Sequence, residues 1–205
     1  MADYTYEIAW WPAPEAVKKD LNAYKPAVDV ITKYTPHPVF IGLSVEKQDK
    51  FCMFVTWENT AAHGAFIAHP DRPALLQNHP SIFPSNSLSD ATVYHTHLNA
   101  DPLPIIQTPV VEQTILTPRD GVSLDELKDT LFRAEEVLKG MSDVCLGLVL
   151  GTIEEKPELL VVLVGWTSVE AHQAYIAAEG AQEADEIRAK IKEFAMFYVS
   201  YTRQT

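Results

Sequence analysis

Histidine is the side chain best suited to moving a proton near neutral pH, and its placement in this chain is lopsided. Six of the seven, His37, His63, His69, His79, His95 and His97, lie in the first half, and only His172 lies in the second. His95 and His97 fall in the run Ala91-Thr-Val-Tyr-His-Thr-His-Leu98, which has strand character, so two positions apart they leave the same face of a sheet. A pair of imidazoles that close can act as acid and base; the plainer alternative is an inert hydrogen-bonded pair at a strand end. Two imidazoles also suit a metal ion, but the spacing offers no third ligand, so no metal is expected. Tyr94 adds a phenol beside them.

His63 stands six residues after Trp57, and His172 six after Trp166. An imidazole there can accept a proton from a phenolic ligand, and its presence at both places equally suits a structural role. Met53, Trp57 and Phe66 would wall an apolar cleft around His63, or pack as core. The candidate catalytic residues are therefore His63, His95, Tyr94 and His97, with Trp57, Met53 and Phe66 as candidate substrate-binding residues.

These residues recur because the chain repeats itself. Shifted by 109 positions, residues 42–67 lie on residues 151–176 without a gap, with nine of 26 identical, among them Trp57/Trp166 and His63/His172. Chance pairing gives roughly one or two. The repeat predicts a unit at 1–98, a Pro-rich linker at 99–109 (Asn-Ala-Asp-Pro-Leu-Pro-Ile-Ile-Gln-Thr-Pro) and a second unit at 110–205.

Each unit shows the same element order. In the first, Tyr4–Trp11 is strand-like. Val17, Leu21, Tyr24, Val28 and Ile31 mark one helical face, which Pro26 is expected to kink. Val39–Val45 and Phe51–Trp57 form a hairpin, a second helix starts at Asn59 or Thr60, the stretch 80–90 interrupts it, and Ala91–Leu98 closes the unit. In the second, Val110–Leu116 is a strand and Ser123-Leu-Asp-Glu126 a capping box. Val144–Ile153 and Leu159–Trp166 form the hairpin, Thr167–Glu170 caps the next helix, and a helix at Glu183–Phe194 leads to a last strand at Ala195–Thr202. This is βαββαβ twice, an α+β fold of two ferredoxin-like units. The hairpin strands Phe51-Cys-Met-Phe-Val55 and Leu159–Val164 are apolar at every step, so both faces of each sheet should be covered. With helices for only one face, the two sheets are expected to pack on each other as an α/β barrel within one chain.

Composition narrows the partners. The 205 residues are 47% hydrophobic and carry a net charge of −12, which disfavours nucleic acid and anionic membrane surfaces. Cys52 and Cys145 stand alone in apolar runs, as buried free thiols would. The polar start Met1-Ala2-Asp3-Tyr4 does not read as a signal peptide, and no apolar run reaches the ~18 residues of a membrane span, so a cytoplasmic protein is expected. Nucleotide-binding, hydrolase-elbow and zincin motifs do not occur.

The segments Trp57-Glu-Asn-Thr-Ala-Ala-His-Gly-Ala-Phe66 and Trp166-Thr-Ser-Val-Glu-Ala-His-Gln-Ala-Tyr175, with the ending Val93-Tyr-His-Thr-His97, resemble the dimeric α/β-barrel superfamily, most closely its antibiotic biosynthesis monooxygenase (ABM) branch. The resemblance covers most of both halves. It implies a small-molecule site between helices and sheet, and chemistry such as cofactor-independent monooxygenation or cyclisation of an aromatic or polyketide-like molecule, of the kind found in secondary metabolism. It also implies pairing of two units, here supplied within one chain, with a further homodimer left open. Two departures stand out. The polyketide-quinone formers carry Asn four residues before this Trp, where this chain has Met53 and Val162. The haem-degrading members carry Asn on the first strand, where Tyr4–Trp11 has none; haem therefore stays a minor option, with His69 or His79 as its iron ligand. A non-catalytic barrel that binds a small hydrophobic molecule or a protein partner is the alternative.

Overall fold

The computed structural model describes residues 4–83, 89–141, 143–178 and 181–204. Residues 84–88, part of the interrupting stretch, and the first three residues of the chain lie outside these. Two compact units emerge: residues 1–97 with 202–205, and residues 98–201.

Unit 1 runs β1 (Thr5–Pro12), α1 (Glu15–Lys19), a 3₁₀ turn (Leu21–Tyr24), α2 (Lys25–Ile31), β2 (Val39–Ser44), β3 (Lys50–Trp57), α3 (Thr60–Ala68), α4 (Asp71–Asn78) and β4 (Thr92–Leu98). The expected single first helix is broken, though not at Pro26. The break falls at Asp20, whose backbone is extended and whose carboxylate accepts a hydrogen bond from the Asn22 amide at 2.9 Å. Pro26 sits in the first turn of α2, where its missing N–H costs nothing. The stripe survives the break: Val17, Tyr24, Val28 and Ile31 are all buried.

The strands of unit 1 lie in the order β2–β3–β1–β4, every neighbour antiparallel. Alternation sorts their side chains. Glu7, Trp11, Met53 and Trp57 face the helices, while Tyr6, Ile8, Cys52 and Phe54 face the other way, Tyr6 stacking on Phe54 with centroids 5.8 Å apart. Ile8, Cys52 and Phe54 are wholly inaccessible to water, so both faces of the sheet are buried, as an unbroken apolar strand requires.

Unit 2 opens on the Pro-rich stretch, which carries a short helix α5 (Leu103–Ile106). There follow β5 (Val110–Pro118), α6 (Leu124–Lys139), β6 (Cys145–Ile153), β7 (Lys156–Trp166), α7 (Val169–Ala178), α8 (Ala181–Lys190) and β8 (Ile191–Gln204). The sheet order is β6–β7–β5–β8, again antiparallel throughout. Ser123 caps α6, accepting from the Glu126 amide at 3.1 Å. The α7 cap is Ser168, which accepts from the Ala171 amide at 3.0 Å, while the neighbouring Thr167 hydroxyl donates to the Val144 carbonyl. The last helix stops at Lys190, and the strand after it begins four residues earlier than periodicity suggested. Leu160, Val161 and Leu163 are fully buried.

The stretch between residues 98 and 110 is folded onto unit 2 at two glycines. Gly147 holds φ +133°, where the register of β6 on β7 shifts, and a Cβ there would lie 2.7 Å from Ile105 Cδ1. A Cβ on Gly165 would lie 2.6 Å from Thr108 Cγ2. Thr108 has little freedom to retreat, because its buried hydroxyl donates to the Ile105 carbonyl at 2.7 Å. Gly165→Ala is therefore expected to cost about 1–3 kcal/mol by overpacking, read as a lower urea midpoint with unchanged m; an unshifted midpoint would show that this seam has slack. Among the described residues, no helix is long and apolar enough to cross a membrane.

Candidate functional site

The site is assembled from three elements of unit 1. β1 and β4 are neighbours, and their register sets Glu7 directly opposite His95. Both side chains leave the sheet toward the helices. Asn59 caps α3, its side chain accepting from the Ala62 amide at 2.9 Å, and so fixes where the helix starts. His63 falls one turn in and Phe66 three residues later, the only two buried residues of α3. That narrow stripe lowers His63 onto the sheet above Glu7 and His95.

The contacts are close and dry. His63 Nδ1 and His95 Nε2 share a hydrogen bond at 2.5 Å, and His63 Nε2 lies 3.5 Å from Glu7 Oε2. Trp57 Nε1 donates to Glu7 Oε2 at 2.7 Å, and the Trp57 ring stacks on His63 with centroids 4.8 Å apart and planes 17° from parallel. Exposure is 3% for Glu7, 6% for His63 and 9% for His95. His63 thus bridges a carboxylate and a second imidazole, an arrangement that can pass a proton from His95 toward a buried negative charge.

Unit 2 repeats the frame with one change. Trp166 Nε1 donates to Glu112 Oε2 at 3.0 Å, His172 Nδ1 lies 3.3 Å from that oxygen, and Trp166 stacks on His172 at 4.2 Å. Opposite Glu112 in the sheet stands Tyr198, whose hydroxyl is 2.6 Å from His172 Nδ1. Tyr198 is therefore the counterpart of His95, not of Tyr94. The Glu–Trp–His frame is common to both units, and the histidine at the fourth place belongs to unit 1 alone.

Burial holds the His172 pKa below its ordinary value, with the nearby Glu112 charge pulling the other way. A histidine kept neutral in the fold takes up its proton more readily unfolded, so its contribution is intact above about pH 6.5 and is lost as pH falls below it. The urea midpoint is expected to fall between pH 7 and pH 5 by more in the native chain than in His172→Gln; equal falls would mean that His172 does not carry this dependence.

The sequence candidates fall into three groups. His63 and His95 meet. Trp57, Met53 and Phe66 surround His63 but are themselves packed in the helix-side core, at 1%, 6% and 6% exposure. Tyr94 lies on the opposite face of the sheet, its ring 5.6 Å from Trp10, and His97 follows His95 on the helix side but is exposed. Glu7 and Glu112 escaped the sequence reading. They sit 105 positions apart rather than 109, so the ungapped repeat misaligns them, although a lone carboxylate inside Tyr4–Trp11 was itself a signal. His69, half-exposed, is tied through Nδ1 to the Tyr34 hydroxyl at 2.6 Å, and that hydroxyl also reaches Asp71 at 2.9 Å. This joins the end of α2 to the start of α4. The same ring does not suit a haem-iron ligand, because its surroundings are a surface polar cluster that holds two helices.

No family model and no curated protein matches the chain. Solved structures do. An anthrone oxidase-like protein superposes with TM-score 0.69 at 9% identity, over 100% of this chain and 93% of its own. A haem-binding protein from Thermus thermophilus gives 0.61 at 9% identity, over 98% and 92%. A ferredoxin-fold protein related to antibiotic biosynthesis monooxygenases, from Listeria monocytogenes, gives 0.53 at 9% identity, over 98% and 96%. At such identities the likeness speaks for the fold, and it runs the length of the chain, as the duplicated frame does. The chain has the fold of the dimeric α/β-barrel superfamily in its antibiotic biosynthesis monooxygenase-like branch, written twice along one polypeptide.

Proposed function

We propose that unit 1 carries the active site of an ABM-like enzyme that acts on an aromatic or polyketide-like small molecule, as a cofactor-independent monooxygenase or a cyclase. The observation that carries this is the buried Glu7–His63–His95 chain beside a duplicate in which tyrosine replaces the outer histidine. With the His63 Nε2 proton directed at Glu7, His63 Nδ1 accepts from His95 Nε2, and the basic lone pair falls on His95 Nδ1. A phenol or activated C–H of the ligand gives up its proton there. Charge left on the histidine pair is balanced by Glu7, and Trp57 keeps that carboxylate aimed. Exposed His97, next on the same face of β4, marks the side from which the ligand approaches. In the oxygenase case the electron-rich anion reduces O₂. An anthrone and one O₂ yield an anthraquinone and one water, so the balance needs no outside reductant. The likeness to an anthrone oxidase-like protein supports that choice of test compound.

The test is O₂ uptake with an anthrone, in buffer containing a chelator, for the native chain and His95→Tyr. Uptake that depends on His95 supports the enzyme; equal uptake by both leaves the non-catalytic, ligand-binding alternative.

A further inference from the structure

We infer that Glu7, His63 and His95 form a binding site for a divalent transition-metal ion, with zinc-like preference for two imidazoles and one carboxylate. One donor atom from each residue lies within 4.8 Å of the other two, and all three residues are buried. The donors come from three separate elements, and two of them, Glu7 and His95, are fixed directly opposite each other in the sheet. A ligating carboxylate is normally held by an outer hydrogen bond, and the Trp57 indole supplies one at 2.7 Å. The two imidazole nitrogens now share one proton across 2.5 Å. An ion with bonds of about 2.0–2.1 Å would replace that proton and set the nitrogens about 3.3 Å apart, a small parting for one helix against one sheet. Two nitrogens and one carboxylate oxygen leave coordination positions open, the pattern of a reactive centre and not of a closed structural one.

Unit 2 is the built-in comparison. It keeps carboxylate, indole and histidine, but its fourth residue is Tyr198, and a neutral phenol is a poor ligand near pH 7. One residue therefore decides which unit holds an ion. This inference does not rest on the proposed oxidation of an aromatic: the ion occupies the nitrogens between which the proton-transfer route holds its proton.

The test uses the full chain stripped with chelator and then titrated with Co²⁺ alone, following visible d–d bands and bound ion by equilibrium dialysis. The native chain should bind one Co²⁺, His95→Tyr none, and Tyr198→His two. Glu7→Gln should bind at least tenfold more weakly. Tyrosine at position 95 has a folded precedent in unit 2, and far-UV circular dichroism checks each variant. No Co²⁺ on the native chain, one Co²⁺ kept by His95→Tyr, or no second ion on Tyr198→His would each overturn the site. Because O₂ uptake is measured with chelator and ion binding without substrate, either idea can fail without the other.

Discussion

His95→Tyr is expected to lower anthrone-dependent O₂ uptake by about 10²–10⁴-fold, the usual contribution of a positioned general base. The loss should appear in kcat/KM, because the proton acceptor is missing while the walls of the site are not. The substitution converts unit 1 into the arrangement found in unit 2, where a tyrosine hydroxyl meets the histidine at 2.6 Å. A phenol with an ordinary pKa near 10 is a weak base at neutral pH, so the fold should tolerate the change while the chemistry does not. Raising the pH should not restore the native rate, since a tyrosinate would stand beside the buried Glu7 charge.

The largest effect on stability is expected at Trp57. Trp57→Phe keeps a ring but removes the indole N–H that bonds Glu7, whose side chain is 4% exposed. Losing a hydrogen bond to a buried charge, together with part of the ring volume, should cost about 2–4 kcal/mol. Trp166→Phe removes the counterpart bond, but the Glu112 side chain is 14% exposed and also accepts from the Thr114 hydroxyl at 2.9 Å. Its cost should be smaller, about 1–2 kcal/mol. Urea unfolding of the two variants makes the comparison. A Trp166→Phe loss equal to or greater than that of Trp57→Phe would contradict the view that Glu7 depends more on its indole.

Much of this molecule was legible before any coordinates. Strand and helix order followed from apolar periodicity, and the duplication followed from Trp57/Trp166 and His63/His172. Those residues recur because each short helix buries only two side chains, and the histidine is one of them. What the sequence withheld was register. His95 and His97 share a face, yet only His95 stands opposite Glu7, and a spacing of two cannot tell them apart. Tyr94 looked equivalent to Tyr198 until the sheet matched Tyr198 to His95. Glu7 lay hidden because carboxylates on strands usually point to solvent, and its indole partner is 50 residues away. The helix break at Asp20 was hidden by Pro26, the stronger breaker on paper, which is harmless in the first turn of a helix.

The central claim is that two copies of one Glu–Trp–His frame have parted roles, with proton chemistry kept in unit 1. Its most direct test is O₂ uptake by the matched variants His63→Gln and His172→Gln, each checked for folding. The account predicts a loss of about 10²-fold or more for His63→Gln and near-native uptake for His172→Gln. Equal losses in the two, or native uptake in His63→Gln, would contradict it.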